Sequence, residues 1–392
     1  VVASAFSVTF VGFGSAYTFS AFFDSLQREF GASRGSVSLL FSIAGFLYFG
    51  CGALSGPLSE RWGARGLASL GMAFVALGLA ACGLSKSLPL VFLAYGAGMG
   101  LGVGFSYVPA LGAVQRWFVR RRGLASGLAV SGIGAGTLIV PLLANWLIGA
   151  LGWRGAYLAL GGLAAVVGGG MSLLLVNAPR DKNLAPDGDQ SLSVVGSPAQ
   201  LGLTLAEAIK TPDFMVLYAA CFACAFGVFV PFVHLVAYAQ DYGSTKQAAV
   251  SLIGVIGISS TAGRFALGGV ADRIGRHVAL RCAFAGMAVA FCIWLFATTY
   301  WSLALFSLAF GLFYGGWVAL LPSVVADRFG ARSVSSVIGA LYTSVAFGTL
   351  IGPSATGYIF DATRTYTVPI VCAAAGNVLA TLLMTAGFAR RS

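Results

Sequence analysis

Arg264 is a cation placed where the sequence offers it no partner. It lies in the apolar stretch 247–271, within "GISSTAGRFALGGVADRIGR" (257–276), and Asp272 follows eight residues later. If Asp272 marks a helix end, the guanidinium sits about 12 Å from that end at ~1.5 Å per residue. At such a depth in a bilayer an arginine costs roughly 2.5–3.5 kcal/mol, and snorkelling along its stem recovers only part of this. A protein carboxylate is the ordinary remedy. The twelve acidic residues all fall at the ends of apolar runs or between them, so none is expected beside Arg264. A guanidinium stays charged and presents five donors in a planar fork that matches a carboxylate. The expected chemistry is reversible capture of an organic anion, one fixed cation for one monoanion. The competing reading is a structural arginine held by backbone carbonyls and water.

Few other groups at membrane depth can complete such a site. Ser260 precedes Arg264 by one helical turn. Tyr107, Tyr314 and Tyr342 can each donate to a carboxylate, or serve as ordinary core or interfacial anchors. Trp317 shares a helix face with Tyr314 through its i, i+3 spacing. His234, with an ordinary pKa of about 6.5, can change charge near neutral pH. It is a candidate for proton coupling, and a hydrogen-bonded packing histidine is the simpler alternative. Cys221 and Cys224 have CxxC spacing, but no second pair or histidine stands nearby, so they read as small packing residues. The run "GMGLGVGF" (98–105) follows no strand and lies inside an apolar helix, where glycines let helices approach closely. No nucleophile–base–acid set gathers at any depth. An enzyme is not expected, nor a metal or other cofactor.

These side chains need elements to hold them at depth. The chain is 58% apolar and 9% charged over 392 residues, against roughly 25% charged in soluble domains. Such a chain must face lipid. Continuous apolar runs near 3–23, 37–59, 67–85, 89–113, 123–148, 153–177, 213–240, 247–271, 277–298, 301–325, 334–360 and 366–389 read as twelve spanning helices, each near the roughly 20 residues a bilayer needs. A closed barrel would instead show alternating segments of about ten residues. The net charge of +11 is explained by topology, not by nucleic acid. With the N-terminus inside, sixteen Lys and Arg fall on the cytoplasmic side and six outside, leaving Arg264 as the last of 23. The positive-inside rule then places both termini in the cytoplasm of a cell (inner) membrane.

The polar stretch 179–212 divides the chain into an N-terminal bundle, 1–178, and a C-terminal bundle, 213–392. Within it Leu201, Leu205 and Ile209 recur at spacing four and suggest an interfacial helix. The halves repeat one another. Gly56 and Gly268, Gly127 and Gly339, Thr137 and Thr349, and Pro141 and Pro353 all stand at one and the same separation along the chain. Gly56, Glu60, Arg61, Gly63 and Arg65 form one polar signature after the second span. Gly268, Asp272, Arg273, Gly275 and Arg276 form its echo after the eighth. A parallel repeat of six-helix halves is expected, related by an axis along the membrane normal.

The pattern G-x-x-x-[DE]-R-x-G-x-R between spans two and three resembles the signature of the major facilitator superfamily. The echo between spans eight and nine strengthens the resemblance, which covers essentially the whole chain. Arg116–Thr137, Phe229–Gly243, Gly257–Arg276 and Leu26–Ser38 resemble segments of monocarboxylate transporters and their bacterial relatives, the oxalate/formate antiporters included. The resemblance implies an all-α fold of two pseudo-symmetric six-helix bundles rocking around a central site lined by helices 1, 4, 7 and 10. It implies signature loops that clamp neighbouring helices on the cytoplasmic face in one conformation, and an arginine at position 264 that holds substrate carboxylate. The antiporters are expected to add a lysine in helix eleven; 334–360 contains none. Animal members carry an aspartate one turn before the arginine and a lysine in helix one, and this chain has Ser260 and no lysine there. The expectation is a monomeric transporter of a lactate- or pyruvate-type monocarboxylate, with a proton. An organic-anion exchanger of the oxalate/formate type is the alternative.

Overall fold

The computed structural model describes residues 1–118, 122–182, 184, 202–330 and 334–389. Lipid offers no partner to a free N–H or C=O, so the apolar runs must satisfy their own backbones as helices. They do so as α1 (Val2–Tyr17), α2 (Phe19–Phe30), α3 (Arg34–Gly50), α4 (Gly52–Leu84), α5 (Leu88–Trp117), α6 (Arg122–Leu163) and the short α7 (Gly170–Leu173). After the polar stretch come α8 (Leu205–Ala208), α9 (Pro212–Val228), α10 (Val230–Asp241), α11 (Lys246–Ile274), α12 (Arg276–Phe296), α13 (Tyr300–Phe329), α14 (Val334–Thr363) and α15 (Thr367–Ala389).

Eleven helical stretches among the described residues are long and apolar enough to cross a bilayer, against the twelve runs read from sequence. The difference lies in Gly127–Leu173. Its 47 residues would reach about 70 Å if straight, more than twice a ~30 Å hydrocarbon core. The backbone turns at Gly152, with φ 70° and ψ 168°. The stretch is therefore spans five and six, and the chain crosses twelve times. Spans one and seven are each interrupted, at Thr18 and at Phe229.

The repeat reappears in the backbone. Positive φ occurs at Gly31 and Gly243, at Gly63 and Gly275, and at Gly152 and Arg364. Each pair keeps the same separation as the paired glycines and prolines of the sequence repeat. At Gly63 (φ 78°) and Gly275 (φ 89°) the signature loops reverse the chain in a conformation that a side chain resists. Inside each half, helices pack in the same scheme: α1 against α6 and α4 against α5, then α9 against α14 and α12 against α13. The halves meet where α3 runs along α14 and α6 along α11.

Of the expected interfacial helix, residues 185–201, Leu201 among them, lie outside the described residues. Leu205–Ala208 does form one turn, closed by a capping box between Thr204 and Glu207. Leu203 N–H donates to the Phe329 carbonyl at 2.9 Å, which pins this segment to the end of α13.

Candidate functional site

Two helices fix the position of Arg264. α11 and α13 cross with almost no side chain between them. A Cβ on Gly263 would run into Leu312, and one on Gly315 would run into the Ser260 carbonyl. This contact sets Arg264 beside the Tyr314 and Trp317 face of α13. Arg264 also reaches the other half: a Cβ on Gly134 of α6 would come within 3.0 Å of its Nη1. The residue is 4% exposed. None of Nε, Nη1 and Nη2 has a hydrogen-bond partner among the described residues. The guanidinium instead lies within electrostatic reach of Tyr314, Tyr107 and Tyr17. As the sequence leads one to expect, no carboxylate pairs with Arg264 among the described residues.

In front of these groups lies a central cavity of about 20 Å³, room for a single water. Its polar lining is Tyr17, Tyr107, Tyr314, Tyr342 and Trp317; Phe13, Phe49 and Phe229 supply much of the apolar wall. Arg264 stands behind this lining rather than in it. The Tyr17 and Tyr314 hydroxyls meet at 3.0 Å across the two halves, and the Tyr17 ring stacks on Phe232 at 4.3 Å. Trp317 Nε1 is buried and faces the Cys221 thiol, and the Tyr48 hydroxyl is buried without a hydrogen-bond partner among the described residues. The site is thus a set of O–H and N–H donors lining the cavity and backed by one cation, with an aromatic wall and no acid among the described residues. It can neutralise one anionic charge and offer hydrogen bonds to its oxygens. A space that holds one water must expand to admit an organic anion, which requires the halves to move.

The sequence-predicted residues distribute unevenly. Tyr107, Tyr314, Trp317 and Tyr342 converge on the cavity. Ser260 does not: its hydroxyl donates to the Gly257 carbonyl at 3.1 Å, and its backbone faces Gly315. His234 lies in another cluster. Its Nε2 is 2.9 Å from the Pro353 carbonyl and 3.1 Å from Ser38 Oγ, and its Nδ1 is 3.3 Å from the Tyr366 hydroxyl. A carbonyl only accepts, so Nε2 carries the proton and Nδ1 accepts from Tyr366. In the signature loops, Arg65 Nε donates to the Leu175 carbonyl at 2.9 Å. Arg276 pairs with Asp327 at 2.6 Å, and Arg273 is exposed. The two bonds tie neighbouring helices within one half. The side chains of Glu60, Arg61 and Asp272 lie outside the described residues. Tyr17 and Tyr48 escaped the sequence reading, although each is the one tyrosine of its spanning run.

Comparison with known proteins gives one consistent picture. The profile described as Major Facilitator Superfamily matches residues 5–353 and again 215–391. Monocarboxylate transporter 3 of Rattus norvegicus is 31% identical, over 98% of this chain and 78% of that protein. Monocarboxylate transporter 12-B of Danio rerio is 29% identical, over 98% of this chain and 85% of that protein. Among solved structures, a nucleoside transporter superposes with TM-score 0.73 at 14% identity, covering 99% of this chain and 98% of that one. A bacterial homolog of the human lysosomal transporter Spinster, inward-facing and unoccupied, gives TM-score 0.71 at 16% identity, covering 99% and 97%. At those identities the two structures speak for the fold alone.

Proposed function

We propose a cargo from one premise: the chain belongs to the Major Facilitator Superfamily and, within it, to the monocarboxylate transporters. It is a multi-pass membrane transporter of the monocarboxylate type, not an enzyme. The proposed cargo is a lactate- or pyruvate-sized monoanion, moved with a proton by alternating access of the two halves. The observation that carries this reading is the buried Arg264 guanidinium, whose three nitrogens find no acceptor among the described residues. Tyr107 and Tyr314 are the proposed donors to the carboxylate, with Tyr342 and Trp317 completing the pocket. One cation suits one negative charge, and α14 offers no lysine for a second. That count favours a monocarboxylate over oxalate-type exchange. The skew of Lys and Arg supports a cytoplasmic position for both termini in the cell's inner membrane. The bundles are complete within one chain, which supports a working monomer.

The test is uptake of labelled lactate into proteoliposomes, with and without a pH gradient, for the wild type and Arg264→Gln. The wild type is expected to concentrate lactate when the outside is acidic, and the variant to lose uptake. Normal uptake by a correctly inserted variant would remove the role given to Arg264. Uptake that requires internal anion and ignores the gradient would favour the exchanger.

A further inference from the structure

At the end of the molecule opposite the signature loops, the halves are joined by a compact polar cluster that the transport site does not use. Arg34, at the start of α3, reaches into the other half. Its Nη1 and Nη2 each donate to an oxygen of Asp241 at 2.7 Å, and Nη1 also donates to the Tyr366 hydroxyl at 2.7 Å. The guanidinium lies over the Phe360 ring at 4.1 Å. Asp361 closes the arrangement from α14. Its Oδ1 accepts from the Arg34 N–H at 3.1 Å and its Oδ2 from the Gly35 N–H at 2.8 Å. A carboxylate from one half thus satisfies the free amides at a helix start in the other, where the helix dipole favours negative charge.

We propose that Arg34, Asp241, Asp361 and Tyr366 form a releasable latch between the halves, whose opening exposes the central cavity at this end. Three features make it a latch and not a fixed strut. Asp241 is the counterpart of Glu29 in the repeat, standing at the same offset as the other repeated pairs. Glu29 pairs inside its own half with Arg154 at 2.8 Å, whereas Asp241 turns across to Arg34. The second half has therefore redirected a repeated acid to the interface. Water also reaches the Arg34–Asp241 pair. The Arg34 and Asp241 side chains are 17% and 38% exposed, and a polar cavity of about 270 Å³ adjoins Asp241 and Tyr366. Where water reaches an ion pair, hydration can take the place of its bonds as the halves part. Finally, the bonds of Arg65 and Arg276 at the signature end stay within one half, so this cluster can open without breaking them. The latch concerns how the halves separate and is independent of which carboxylate is carried.

The test is amide hydrogen exchange on the full chain in lipid nanodiscs, comparing wild type with Asp361→Asn, Arg34→Gln and Asp241→Asn. Alternating access makes the two ends reciprocal. Exchange at 34–38 and 361–366 is expected to rise several-fold in the variants, while exchange at 62–66 and 274–278 falls. A rise at both ends would mean local unfolding, and an unchanged pattern would mean that the cluster holds nothing shut. Either result would overturn the latch, and neither would bear on lactate recognition at Arg264.

Discussion

A guanidinium with three unused nitrogens and a hydroxyl shared between two tyrosines make different kinds of prediction. Arg264 offers charge and a fork. Lysine keeps the charge but not the fork, so Arg264→Lys should retain weak transport where Arg264→Gln has none. Charge-assisted hydrogen bonds are worth about 1.5–3 kcal/mol, which is a loss of roughly tenfold to a hundredfold in kcat/KM for the lysine variant. The tyrosines offer single neutral bonds. Tyr107→Phe should raise KM for lactate about fivefold, the equivalent of ~1 kcal/mol, with folding intact. Concentration dependence of initial uptake checks both. His234 makes a third case. Ser38 and Arg34 face it from α3, Phe23 from α2, Pro353 and Asp361 from α14, and Tyr366 from α15. In the closed cluster its Nδ1 accepts from Tyr366, and Tyr366 accepts from Arg34. A proton added at Nδ1 would end its acceptance from Tyr366 and set a second cation beside Arg34. The added proton therefore disfavours the closed arrangement, and opening is favoured as pH falls. Gln at 234 can keep both bonds without titrating. His234→Gln is expected to retain counterflow of lactate while losing the stimulation of uptake by an acidic exterior; undiminished stimulation would take His234 out of proton coupling.

At the scale of elements, the approach of α11 to α13 decides whether Arg264 and Tyr314 can share a ligand. Gly315→Ala inserts a methyl against the Ser260 carbonyl, and overpacking of this kind costs about 1–3 kcal/mol. Gly162 in α6 has open space around it, so Gly162→Ala gains helix propensity and loses no contact. Gly315→Ala is thus expected to lower the melting temperature in detergent and raise KM, and Gly162→Ala to do neither. Equal behaviour of the two would mean that helix contact does not position the site. The sequence made the elements legible because lipid leaves a run of apolar residues one conformation to adopt. The turn at Gly152 falls in the gap between the runs 123–148 and 153–177. The breaks at Thr18 and Phe229 were hidden, because each lies inside one continuous apolar run. Arg264 was legible because a buried charge demands an explanation. Tyr17 and Tyr48 were not, because a tyrosine at depth also serves as ordinary core and demands none. Phe13, Phe49 and Phe229 could not be told from lipid-facing residues by type. Ser260 shows the reverse error: correct spacing along α11, but a rotation that sends it into α13.

For the whole molecule, orientation decides what each end does. The latch residues Arg34, Asp241 and Asp361 lie at one end, and Gly63, Gly275 and the loops around them at the other. The proposed cytoplasmic position of the signature end rests on sixteen basic residues, Arg65 and Arg276 among them, against six on the opposite side, Arg34 and Lys86 among them. Lys and Arg beside spanning helices resist translocation, so a ratio of sixteen to six leaves little freedom to invert. Lys182 in the region joining the halves and Lys86 between spans three and four then lie on opposite faces of the membrane. Cysteine placed at Lys86 should react with an impermeant maleimide added to intact cells, above the level set by the native cysteines. Cysteine at Lys182 should react only after the cells are opened. The reverse pattern would put the Arg34 cluster in the cytoplasm. External acid could then not reach His234 from its own end of the molecule, and a proton entering from outside would have to cross the central cavity with the carboxylate before it met the latch.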